Sequence, residues 1–170
     1  EATLSNGGKI TVTDTTKGIY IANLAGSSGI LNIGAAEGND PAAAAGIVEA
    51  TNVFFGSGTG SLVFKHTTDN YDFTANISGA GAIKVLAGDT TLSGNNSNFT
   101  GATTLSGGTL SVASTANLGG GSLVLDGGTL ASTGTFTTSQ NATLNANTQN
   151  TINTAVDTTL TLSGVFSGTG

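Results

Sequence analysis

Of 170 residues, Gly (27), Thr (30), Ser (16) and Asn (16) make up 89, while only 14 are charged: seven Asp, three Glu and four Lys, with no Arg. A net charge of −6 without arginine excludes a phosphate-neutralising nucleic-acid surface, and the absence of Cys excludes a disulfide scaffold, a thiolate metal site and a cysteine nucleophile. The 37% hydrophobic content recurs in short alternating runs rich in β-branched residues, which points to a folded, nearly all-β chain.

Along the chain, Leu31-Asn32-Ile33 reads as the first clear strand. From Gly34 to Gly46 alternation stops. Asp40 reads as an N-cap, Pro41 as the first helical position and Gly46 as the residue just past the end. A short helical excursion is therefore expected near residues 40–46, serving either as a binding loop or as a cap or packing element. Strands follow near Asn52-Val53-Phe54 and at Leu62-Val63-Phe64, then a polar turn from His66 to Asp72, then Phe73 to Ile77. Ile83-Lys84-Val85, Thr103-Thr104-Leu105 and Leu123-Val124-Leu125 continue the series. Phe64, Val85, Leu105 and Leu125 lie 21, 20 and 20 residues apart, and Gly107-Gly108-Thr109-Leu110 returns twenty residues later as Gly127-Gly128-Thr129-Leu130. Leu110-Ser111-Val112 and Leu130-Ala131-Ser132 form a second strand-like set. A looser continuation runs through Leu144 and Leu160-Thr161-Leu162.

A unit of about twenty residues cannot bury its apolar face alone, so copies must stack. The expected fold is all-β: a right-handed parallel β-helix, a single-stranded solenoid of about eight rungs, forming one domain over 1–170. Apolar columns fill its interior, Thr, Ser and Asn face outward, and Gly and Asn turn the corners, where stacked asparagines could form ladders. A β-sandwich is the rival, and antiparallel neighbours would decide for it. No run of 18 apolar residues is present. Lacking an initiator Met and closing on Ser167-Gly168-Thr169-Gly170, the sequence reads as a piece of something longer.

The tightest chemical cluster is His66-Thr67-Thr68-Asp69-Asn70-Tyr71-Asp72, with the only His and one of two Tyr. It reads either as a small metal or acid–base site or as a polar turn with its charges in water. Asp89 and Asp126, each beside Gly, read as solvated corners. No nucleophile elbow, phosphate loop, dinucleotide fingerprint or calcium-binding nonapeptide is found. The sequence points to no catalytic, cofactor-binding or metal-binding residue, and a β-helix carbohydrate-active enzyme or glycan-binding module is the alternative reading.

The stretch Phe55-Gly56-Ser57-Gly58-Thr59-Gly60-Ser61-Leu62-Val63-Phe64-Lys65-His66-Thr67 resembles the passenger domains of bacterial type V autotransporters. Ile77-Ser78-Gly79-Ala80-Gly81-Ala82-Ile83-Lys84, Thr90-Thr91-Leu92-Ser93-Gly94, Asn98-Phe99-Thr100-Gly101 and Gly107-Gly108-Thr109-Leu110 resemble their passenger-associated strand repeat, over 77–110. Residues 166–170 resemble the opening of a further repeat. The chain departs from the family pattern at Asp89, where Gly is usual, and at Phe99, where Tyr is common. The resemblance implies a β-helix at the bacterial surface, exported across the outer membrane, that acts in attachment, autoaggregation or biofilm formation and in passenger folding. The implied partner is a host-cell or matrix component or another copy on a neighbouring bacterium, without nucleic acid, membrane insertion or cofactor. Open strand ends add an expectation of weak end-to-end self-association.

Overall fold

The computed structural model describes residues 1–38, 41–146 and 148–169. Among the described residues the regular structure is β-strand apart from one four-residue helix at Thr115–Leu118. An eight-stranded sheet takes the strands in the order Ala2–Leu4, Ser28–Gly34, Thr59–Lys65, Ala82–Ala87, Thr103–Leu105, Leu123–Leu125, Ala142–Leu144 and Phe166–Gly168. A five-stranded sheet joins Tyr71–Phe73, Asp89–Leu92, Thr109–Val112, Thr129–Ser132 and Thr151–Thr154. A third holds Ile19–Ile21, Asn52–Phe55 and Asn76–Ser78, and two-stranded sheets pair Lys9–Thr11 with Ile47–Glu49 and Phe136–Thr138 with Leu160–Leu162. Among the described residues every ladder between named strands is parallel. One isolated antiparallel bridge joins Ser5 to Ala45.

The registers align like with like. Leu31, Leu62, Ile83, Thr103, Leu123 and Ala142 form one buried column of the eight-stranded sheet. Ile33, Phe64, Val85, Leu105 and Leu125 form the next. The five-stranded sheet turns Leu110 and Leu130 inward in register, and the third sheet turns Val53 and Ile77 inward. All but Thr103 belong to one continuous hydrophobic core, and each large apolar side chain removed from water stabilises it by about 1.5–3 kcal/mol. Phe64 meets Phe73 across two sheets edge to face, centroids 5.3 Å apart. The runs Leu62–Phe64, Ile83–Val85, Thr103–Leu105 and Leu123–Leu125 thus stack as their spacing predicts.

Two expectations need correction. Residues 41–46 contain no helix; the cap expected at Asp40 lies outside the described residues. This stretch is bonded to neighbouring segments instead: Thr67 N donates to Ala43 O (3.0 Å), Ala45 N to Thr68 Oγ1 (2.9 Å) and Gly46 N to Leu4 O (2.9 Å). These partners satisfy the backbone as well as a lone helical turn would, and one turn is too short to hold itself. Leu160–Leu162 does not continue the column either. It pairs with Phe136–Thr138, while Phe166–Gly168 stands beside Ala142–Leu144. Ile77, whose sequence Phe166 echoes, stands in the three-stranded sheet.

The described residues on either side of 39–40 pack against neighbouring segments. Ala35 N donates to Lys65 O, and the half-exposed Glu37 carboxylate binds Lys84 Nζ at 2.8 Å. Asn32 and Val63, on the outward side of the eight-stranded sheet next to Lys84, are both fully buried.

Candidate functional site

His66, the only imidazole, is buried at 1% exposure. Its Nδ1 lies 3.1 Å from Thr68 O and its Nε2 2.8 Å from Thr90 Oγ1. A carbonyl can only accept, so Nδ1 carries the proton and the Thr90 hydroxyl donates to Nε2. Tyr71 packs against the ring, centroids 5.1 Å apart, and Phe64 meets it edge-on at 6.5 Å. Burial holds the imidazole below its ordinary pKa of 6.5, while the Thr68 carbonyl and the Asp89 charge act the other way. Burial likewise pushes the Tyr71 phenol above 10.0. Asp69 and Asp72 are exposed, and Asp72 accepts from Ser93 Oγ at 2.6 Å. No hydrogen bond or ion pair among the described residues joins His66 to either. Asn70 turns the chain at φ 52. The segment is thus a turn whose carboxylates face water and whose histidine is spent on internal bonds. Asp89 is exposed at the start of its strand, and Asp126 holds a corner, accepting from Asn145 Nδ2 (2.9 Å) and Ser106 Oγ (3.5 Å). Among the described residues no three His, Asp or Glu side chains come together as metal ligands.

At corners, amide side chains bond to the backbone of neighbouring segments. Buried Asn96 accepts from Ile77 N (2.7 Å) and donates to Asn117 O (2.6 Å); Asn117 Nδ2 donates to Ser93 O and Gly94 O, and Gln140 Nε2 to Gly119 O. Each amide satisfies backbone groups at a turn, where an orphaned donor would cost about 1–3 kcal/mol. A more exposed asparagine ladder is Asn52–Asn76–Asn95. Asn76 Nδ2 donates to Asn52 Oδ1 (3.4 Å), and Asn95 N donates to Asn76 Oδ1 (2.8 Å).

Beside this ladder lies a partly exposed aromatic surface. Outward-facing Tyr20 and Phe54 are in register on neighbouring strands and stack with centroids 4.9 Å apart and planes 29° apart. Tyr20 is 55% exposed. The next residue in the column is Ser78. Because serine is small, the far side of Phe54 opens on a groove of about 190 Å3, lined by Asn52, Phe54, Asn76, Ile77, Ser78, Asn95 and Asn98. Asn95 Nδ2, the Asn98 side-chain amide and Ser78 Oγ have no hydrogen-bond partner among the described residues. Sequence reasoning missed this surface. Tyr20 and Phe54 are 34 residues apart because the 34–46 excursion lies between them, which hides their alignment from a twenty-residue period.

No family model matches the chain, and no solved structure does. Over 59 residues it is 36% identical to the uncharacterized protein YuaQ of Escherichia coli K12. That stretch is 32% of this chain and 4% of the relative's length, so the match spans a small fraction of that protein.

Proposed function

We propose that the sheets are faces of one right-handed parallel β-helix, a stretch of a type V autotransporter passenger exposed at the bacterial surface and working in attachment, autoaggregation or biofilm formation. The observation that carries this reading is the eight-stranded parallel sheet whose column returns at Leu4, Ile33, Phe64, Val85, Leu105, Leu125, Leu144 and Gly168. Strands parallel to their neighbours need a crossover each time, and here strands of the other sheets supply it; such crossovers are right-handed in almost all proteins. The longest step, from Ile33 to Phe64, contains the excursion.

The outward faces support adhesion by extended contact. They are neutral to weakly acidic, rich in Thr, Ser and Asn, and repeated, so modest contacts multiply by avidity. The partner is a host-cell or matrix component or a second copy on a neighbouring cell. A stack of this kind also grows turn by turn, which suits folding during export. The test is to display the chain on cells and score clumping and host-cell attachment against a truncated control. Equal scores for the two would refute the adhesive role.

A further inference from the structure

We infer that the groove beneath Phe54 is a binding subsite for a neutral pyranose, the partner chemistry of the adhesive surface. The inference rests on the adhesion reading for its setting, while its chemistry stands on the groove alone. Three features converge. First, the aromatic column Tyr20–Phe54 ends at Ser78, so one face of Phe54 is covered by a ring at 4.9 Å and the other bounds an open groove. The C–H-bearing face of a pyranose is apolar with slightly positive hydrogens, and it complements the negative face of an aromatic ring. Seated over Ser78, a sugar ring continues the column where a third side-chain ring would stand. Second, the lining includes planar amides and one hydroxyl with unused capacity among the described residues: Asn95 Nδ2, the Asn98 amide and Ser78 Oγ. An amide offers both donors and acceptors, as sugar hydroxyls require. An apolar wall with a few fixed polar groups is the general design of a small-molecule site.

Third, the lining carries no charged side chain. A nucleotide base could stack on Phe54, but its phosphate would meet a chain of net charge −6 without arginine. An acidic sugar meets the same field. Asn52 and Asn76 hold the wall rigid from behind: Asn52 Nδ2 donates to Thr15 O (3.2 Å) and Lys17 O (3.1 Å), and Asn76 bonds both its neighbours in the ladder. Such preorganisation favours a weak ligand, because little ordering entropy is left to lose.

The test is titration of the isotope-labelled chain, followed by amide NMR, with methyl β-D-galactopyranoside, methyl N-acetyl-β-D-glucosaminide and, as the charged control, glucuronate. At least one neutral sugar should shift Phe54, Ser78, Asn95 and Asn98 with a Kd of about 1–10 mM, and glucuronate should not. Ser78→Phe fills the groove with a third ring and should weaken binding at least about tenfold, with distant resonances unmoved. Asn98→Ala leaves the groove open and should weaken it severalfold, which keeps the test valid if Ser78→Phe fails to fold. No shift from either neutral sugar at about 100 mM, shifts centred elsewhere, equal binding of glucuronate, or unaltered affinity in both variants would overturn the site. Cells displaying a sugar-binding chain that neither clump nor attach would sink the adhesion reading and leave the subsite standing.

Discussion

Gly81, Gly101 and Gly121 recur at twenty-residue steps, and none has room for a side chain: Gly81 lies against the Phe55 ring, and Gly101 and Gly121 against neighbouring backbone. A Cβ on Gly121 would overlap the carbonyl oxygen of Gly101, and one on Gly101 that of Gly81. Gly120 has only Phe99 O nearby, at 3.7 Å from a Cβ. Gly121→Ala should therefore cost about 1–3 kcal/mol in urea unfolding, while Gly120→Ala should stay within about 0.5 kcal/mol of the parent; equal effects would refute the close approach. His66 gives a pH signature. Its folded-state pKa lies below 6.5, so as pH falls through 6.5 the unfolded chain takes up the proton first. Stability should fall with pH below that point and level off once pH is under the folded-state value. Denaturant midpoints between about pH 7.5 and 5.5, above the main carboxylate range, should decline in the parent and stay flatter in His66→Gln. A parent that gains stability on acidification contradicts this placement of the ring.

At the scale of elements, the 34–46 excursion creates an internal control. Val63 and Val124 occupy the same outward column, in register through Lys84 and Thr104. Val63 is fully buried; Val124 is half-exposed. Val63→Ala should cost about 1–3 kcal/mol and Val124→Ala under about 1 kcal/mol; equal costs would show that the excursion does not cover the sheet. The excursion's location was legible in the sequence and its conformation was not. Asp40, Pro41 and Gly46 carry helix-boundary signals, but the strand at Leu4 and the segment at Thr67–Thr68 offer the described part of its backbone better partners. Tertiary bonding overrides a local preference worth less than a kilocalorie per residue. The true helix at Thr115–Leu118 has its own cap, with Ser114 Oγ accepting from Asn117 N at 3.3 Å and Leu118 buried; one turn leaves no periodicity to detect. The middle columns were readable because Phe64, Val85, Leu105 and Leu125 repeat at nearly constant spacing. Leu160-Thr161-Leu162 imitates the same alternation on another sheet, whereas the strand that extends the column, Phe166–Gly168, ends on glycine and shows no alternation. In the His66–Asp72 segment the turn was legible; the burial of His66 was not, because it depends on Tyr71 packing against the ring and Thr90 bonding its Nε2.

At the scale of the molecule, the outer strands of each sheet have one neighbour only. Ile152 and Phe166, in the last strands of the five- and eight-stranded sheets, are 39% and 41% exposed. Open edges with apolar residues beside them favour pairing with another chain, so light scattering should show mass rising with concentration, and Phe166→Lys should reduce it. A constant monomer mass over a wide concentration range would contradict this. The proposed β-helix stacks successive turns of chain in order along one axis. The absence of native cysteine allows spin labels to be placed at will. Thr3, Lys84, Thr104, Val124 and Thr143 share one outward column of the eight-stranded sheet, with Asn32 and Val63 between the first two. Pulsed electron–electron distances from a label on Thr3 to labels on the other four should lengthen by about 4.8 Å per strand, from about 14 to about 29 Å. Distances that fail to grow in that order, as they would if the segments were divided between two facing layers, would contradict the account.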